Sequence, residues 1–167
     1  MKQIIGFAGF GLACLNSLFS ILALALKVWM EKGDGYESRT YGLWKSCYET
    51  PQVSKCDDIP PVAQVLVFRG FVAVGMVLMF GAAVTAGLRV FLMKDRRILY
   101  LATVGLSSAA GFCLLIGFAA YASYSGDLID IGFTYVGGFG LCVVAWLFSW
   151  IQAGIFFVHG RLPESPA

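Results

Sequence analysis

Charge is scarce in this sequence. Asp, Glu, Lys and Arg make up 13% of its 167 residues, about half the share in an ordinary globular domain. The net charge is +2, and the charges sit in the connections between apolar runs, so no basic face is available for nucleic acid. Histidine occurs once, at His159, and asparagine once, at Asn16. His159 closes an apolar run with no triad or metal partners around it, so no metal site and no cofactor are expected. There is no Gly-rich phosphate loop, because Gly137-Gly138-Phe139-Gly140 lies inside an apolar run rather than after a strand. Within the long apolar runs Arg69 is the single charged residue. Proton- and ion-coupled transporters keep buried Asp, Glu, His or Lys in their spans, which disfavours that class. Nothing points to an enzyme or to a small-molecule substrate.

What is abundant is apolar mass: 59% of residues are hydrophobic and the mean hydropathy is +0.78. A soluble fold has too little polar surface here to cover such a core, so the bilayer is the expected partner. A spanning helix needs roughly 20 mostly apolar residues, and four runs qualify: 3–26, 62–88, 98–122 and 131–158. They are too long for strands and too apolar all round for surface helices, and they lack the alternation of a membrane β-barrel. The first run also has marks of a signal peptide, with Lys2 ahead of it and Ala23-Leu24-Ala25 resembling a cleavage site. Its apolar region exceeds the roughly 7–15 residues of such a segment, so a retained helix is expected. The whole chain, 1–167, then forms one tetraspan domain with loops 27–61, 89–97 and 123–130.

Orientation follows from Lys and Arg. The connection 89–97 holds Arg89, Lys94, Arg96 and Arg97, and Lys2 and Arg161 flank the terminal runs. The first loop holds Lys27, Lys32, Arg39, Lys45 and Lys55, outnumbered by Glu31, Asp34, Glu37, Glu49, Asp57 and Asp58. The last loop holds Asp127 and Asp130 and no base. The connection 89–97 and both termini are therefore expected in the cytoplasm of a multi-pass plasma-membrane protein.

Cys47 and Cys56 are the only cysteines outside the runs, in the loop assigned to the oxidising side. With Thr50-Pro51-Gln52-Val53 as the turn, they face each other across a hairpin, close enough for a disulfide. Closing that loop contributes roughly 2.5–3 kcal/mol in the chain-entropy treatment. Two free thiols or a zinc half-site are the alternatives, and the loop offers zinc no His or further Cys. Cys14, Cys113 and Cys142 lie in the runs and are read as packing residues.

Trp29, the run Tyr41-Gly42-Leu43-Trp44-Lys45-Ser46-Cys47, the second cysteine Cys56 and then Arg69 follow the first span in that order. This series resembles the claudin superfamily, which includes claudins, peripheral myelin and epithelial membrane proteins, the lens fibre membrane intrinsic protein and calcium-channel gamma subunits. The likeness covers the whole chain, including the long first loop and the short basic second one. It implies a left-handed four-helix membrane bundle, all-α, carrying a small extracellular antiparallel β-sheet built mainly from the first loop. Val28-Trp29 would begin its first strand, and Tyr41–Thr50 with Val53–Cys56 its hairpin. Trp29 and the Gly42-Leu43-Trp44 run would pack the sheet's underside at the bilayer interface. The first loop is shorter than a typical claudin's, and Pro163-Glu164-Ser165-Pro166-Ala167 is unlike the hydrophobic tail by which many claudins bind scaffolds. The absence of an Asn-x-Ser/Thr sequon disfavours a glycosylated gamma subunit.

Arg69 is expected to clamp the second helix to the sheet, pairing with Asp57 or Asp58, with a place along a permeation path as the alternative. Gly75, Gly81, Ala82, Ala86 and Gly87, then Gly105, Ser108, Ala109 and Gly111, then Gly137, Gly138 and Gly140, allow close helix approach. Asn16, Ser17, Ser20 and Gln152 can hydrogen-bond between helices. The resemblance makes Glu31, Asp34, Lys45, Asp57 and Asp58 candidate contact or pore charges, against an ordinary solvated surface. The expected function is contact with other membrane proteins, including further copies of itself in cis or trans, for cell–cell adhesion at junctions or membrane organisation. An auxiliary subunit of a channel or receptor is the second reading and a paracellular pore the third.

Overall fold

The computed structural model describes residues 2–33, 36–92 and 97–161. Asp34, Lys94, Arg96 and the C-terminal tail lie outside them. Four long helices dominate: α1 (Lys2–Ala25), α2 (Ala63–Gly87), α3 (Arg97–Tyr124) and, after a short α4 (Gly126–Asp130), α5 (Gly137–Arg161). Each of the four is long and apolar enough to cross a membrane. Pro60 and Pro61 precede α2, where their missing N–H groups cost no helix bond. No proline interrupts any of the four. Their outward faces expose Ile4, Leu18, Val77, Phe80, Ile98 and Ile151. A surface this apolar is stable only against lipid, so the chain is a multi-pass membrane protein.

The helices pack in a ring, α1 against α2, α2 against α3, α3 against α5 and α5 against α1. Several of the small residues sit where backbones meet: a Cβ at Gly75 would press on Leu114, and one at Gly111 on Ser149. A Cβ at Gly105 or Gly140 would meet no other side chain or element within 4 Å among the described residues. Ser17 donates to the Met79 carbonyl across the α1–α2 contact (3.2 Å) and Gln152 to Ser107 across α3–α5 (2.9 Å), whereas Ser20 donates to the Asn16 carbonyl within α1 (2.9 Å).

The sheet has five antiparallel strands in the order β4-β3-β2-β1-β5. They are β1 (Met30–Gly33), β2 (Ser38–Tyr41), β3 (Lys45–Glu49), β4 (Ser54–Asp58) and β5 (Thr134–Tyr135). The hairpin β3–β4 turns at Thr50-Pro51-Gln52-Val53, closed by Thr50 N–H to the Val53 carbonyl (2.8 Å) and the reverse bond (3.3 Å). Cys47 and Cys56 pair across it and form a disulfide. Several boundaries differ from the sequence expectation: Tyr41–Thr50 is not one hairpin arm, since Tyr41 ends β2 and β3 begins at Lys45, and the second helix runs on to Leu92. β1 starts at Met30, just after Trp29. The run 131–158 is not helical throughout: α5 starts at Gly137, and the residues before it turn at Gly132 (φ 94°) and add β5 to the sheet.

Beneath the sheet lies the main core. Trp29, Met30, Leu43 and Ile59 from the first connection meet Phe68, Tyr121, Phe133 and Cys142 from the helices and the last connection. The end of the bundle away from the sheet has its own smaller cluster of Ala13, Ala83, Ala86 and Phe156.

Candidate functional site

A helix ends with carbonyls that have no partner within it. At the end of α1 two indoles supply donors: Trp29 Nε1 bonds the Ala23 carbonyl (2.9 Å) and Trp44 Nε1 the Leu24 carbonyl (3.1 Å). Trp29 is fully buried, edge-on or tilted against Tyr121 (4.8 Å) and Phe139 (6.1 Å). Trp44 is 47% exposed, as suits a ring that is apolar on one side and polar at its edge. Between them the backbone at Gly42 passes so close to the Lys27 carbonyl that a Cβ would overlap it. Leu43 fills the space below.

Arg69 rises from the first turns of α2 into this junction. Its Nε donates to the Leu43 carbonyl (2.6 Å), its Nη2 to the carbonyls of Ile59 (3.2 Å) and Trp44 (3.5 Å), and its guanidinium lies over the Trp44 ring (5.1 Å). The expected pairing with Asp57 or Asp58 is not made: Asp57 pairs with Lys55 (3.3 Å) and Asp58 with Lys45 (3.8 Å). The reason is local. The Leu43 and Ile59 carbonyls, which lie just outside the strands, take the Arg69 donors at 2.6 and 3.2 Å. Arg69→Met is expected to lower stability by about 2 kcal/mol, the usual range for charge-assisted bonds, read as the melting temperature in mild detergent. Arg69→Lys keeps the charge without the planar fork and should recover less than half; full recovery would mean that charge alone matters.

Above the junction, register sorts the loop charges. Arg39, Tyr48 and Lys55 align across three strands, and Tyr41, Ser46 and Asp57 align beside them on the same face. They line a shallow cleft of about 230 Å³. Arg39 stacks on the Tyr48 ring (5.0 Å) and pairs with Glu37 (3.9 Å). The Glu37 carboxylate nearby holds the pKa of the Tyr48 phenol above the ordinary value. Glu31, Lys45 and Asp58 lie on the opposite face, in the rows that carry Thr40, Cys47 and Cys56. The candidate charges are therefore divided between two faces rather than gathered. The pairs Arg39–Glu37, Lys45–Asp58 and Lys55–Asp57 are all well exposed, so each contributes little to stability.

The outermost strand, β4, is exposed along its whole length, and the turns expose Tyr36 (83%) and Val53 (56%). The sequence reading did not single out Arg39, Tyr48, Phe133 or Tyr135. Their signal was alternation within strands too short to recognise without a register. No known protein family matches the chain, and no curated protein matches it.

Proposed function

We propose that the chain is a claudin-like tetraspan of the plasma membrane whose sheet makes protein–protein contacts between or within membranes, in adhesion or membrane organisation. The observation that carries this reading is a rigidly anchored, disulfide-tied sheet whose outer strand and turns are free. Trp29, Trp44 and Arg69 fix the plate to the helices, while Tyr36, Val53 and the whole of β4 are presented outward. The order Trp29, Gly42-Leu43-Trp44, Cys47, Cys56, Arg69 supports the resemblance, since Trp29, Gly42, Leu43, Trp44 and Arg69 meet in one junction and the two cysteines tie the hairpin. With the basic connection 89–97 in the cytoplasm, the sheet faces the outside, where its disulfide is stable. The left-handed twist of the bundle belongs to the same proposal.

The test is a cell-mixing assay in non-adherent cells that lack related tetraspans. Enrichment at borders is expected only where both cells express the protein, and is lost in a Tyr36→Asp/Val53→Asp double variant delivered to the surface at normal levels. An even distribution of wild type at the surface would exclude homophilic adhesion. A second reading, an auxiliary subunit packed against a channel or receptor, is favoured by Gly105 and Gly140, small helix residues whose outer sides face no other element among the described residues. In that case crosslinking from these positions, not from the turns, would recover the partner.

A further inference from the structure

α2 does not stop at Gly87. It runs on through a wider π-helical stretch, Leu88–Leu92, a local irregularity often found at functional positions. That stretch carries Arg89 at the end of the bundle away from the sheet. Arg89 is only 6% exposed, and its guanidinium lies over the Tyr100 ring (5.1 Å). Its Nε and Nη1 are buried and donate to no atom among the described residues. The described parts of α1, α2, α3 and α5 contain no Asp or Glu, so no carboxylate of these helices neutralises it. A guanidinium keeps its proton in a protein, and a buried cation without a counter-charge is costly.

The neighbourhood is built around this residue. Gly160 leaves the space that the Tyr100 ring occupies, since a Cβ there would overlap it. Gly6 brings α1 against His159 and Val90. Arg97 opens α3 and Arg161 closes α5 at the same end. Phe91 and Leu92, just beyond Arg89, are exposed and apolar, which sets this end at the boundary of the hydrocarbon layer. A cation at that depth meets the phosphates of lipid headgroups, and basic sites between spanning helices on the cytoplasmic side hold anionic lipids.

We infer that Arg89, seated on Tyr100, is the centre of a binding site for the phosphate of an anionic lipid headgroup at the end of the bundle opposite the sheet. The lipid supplies the counter-charge that the helices lack, and Arg97 and Arg161 add positive potential at the rim. The inference stands whether or not the sheet mediates adhesion.

The test uses the full chain purified in neutral detergent, with lipid binding followed by native mass spectrometry. Phosphatidylinositol 4-phosphate is expected to bind about tenfold tighter than phosphatidylcholine, the size of effect given by one charge-assisted contact. Arg89→Gln is expected to remove that preference, and Lys27→Gln, which deletes a charge at the sheet end, to leave it intact. Equal preference in wild type and a folded Arg89→Gln protein would overturn the site. So would a wild type that does not distinguish the two lipids. Should Arg89→Gln fail to accumulate, Tyr100→Leu removes the seat while keeping the charge, and unchanged lipid preference there would overturn it equally. Complete displacement of the lipid by millimolar inorganic phosphate would assign the site to a soluble anion and refute the lipid.

Discussion

Trp29→Ala is expected to destabilise the protein by about 3–5 kcal/mol, the range for removing a large buried aromatic. Against a total of roughly 5–15 kcal/mol for a folded domain, that is enough to prevent accumulation of the folded form. Three losses coincide. The ring leaves a cavity between Tyr121 and Phe139, the Ala23 carbonyl loses its donor, and α5 loses the surface against which Gly138 is fitted. Trp29→Phe separates these: it restores most of the apolar contact and leaves only the carbonyl unpaired, a loss of about 1–3 kcal/mol. Thermal unfolding in mild detergent, followed by recovery of monodisperse protein, measures both. A Trp29→Ala protein melting within a few degrees of wild type would show that the junction does not hold the sheet.

Gly42→Ala is expected to be nearly as damaging although it adds a single carbon. The new Cβ would overlap the carbonyl group of Lys27, and a backbone atom at the foot of β1 cannot rotate away as a side-chain tip can. Overpacking of this kind costs about 1–3 kcal/mol, and here it also displaces Leu43 and the carbonyl that Arg69 bonds. The expected readout is a lowered melting temperature together with a fraction of Cys47 and Cys56 left reduced. Gly105→Ala is the matching control. It meets nothing within 4 Å in the middle of α3, so the better helix former should be neutral or gain about 0.5–1 kcal/mol. Equal loss in the two variants would mean that close approach at Gly42 is not the cause.

The four spans were legible because length and composition suffice to define them. The start of the last one was not. Residues 131–136 are as apolar as the helix that follows, and an apolar stretch gives no period by which to tell strand from helix when both faces are covered. Phe133 is buried beneath the sheet and Met30 pairs with Tyr135, so tertiary contact decides there. The junction was legible as a set of residues, since Trp29, Gly42, Trp44 and Arg69 stood out together. The partners of Arg69 were not, because the carbonyls it bonds carry no signature in the sequence. Asp57 and Asp58 were both candidate loop charges, yet as consecutive residues of a strand they point to opposite faces. Arg89 was counted only as an orienting charge. The sign that it differs was present: Val90, Phe91 and Leu92 continue the apolar run beyond it.

β5 is only two residues long, but it pairs with β1 at Met30–Tyr135 and Glu31–Thr134. It turns what would be an appendage of α1 and α2 into a plate riveted to α3 and α5 as well. A pull on β4 or its turn is then shared by all four helices as a lengthwise load, instead of peeling one hairpin away. Val136 N–H to the Trp29 carbonyl (2.9 Å) and Gly138 N–H to the Val28 carbonyl (3.0 Å) continue that stitch into the start of α5.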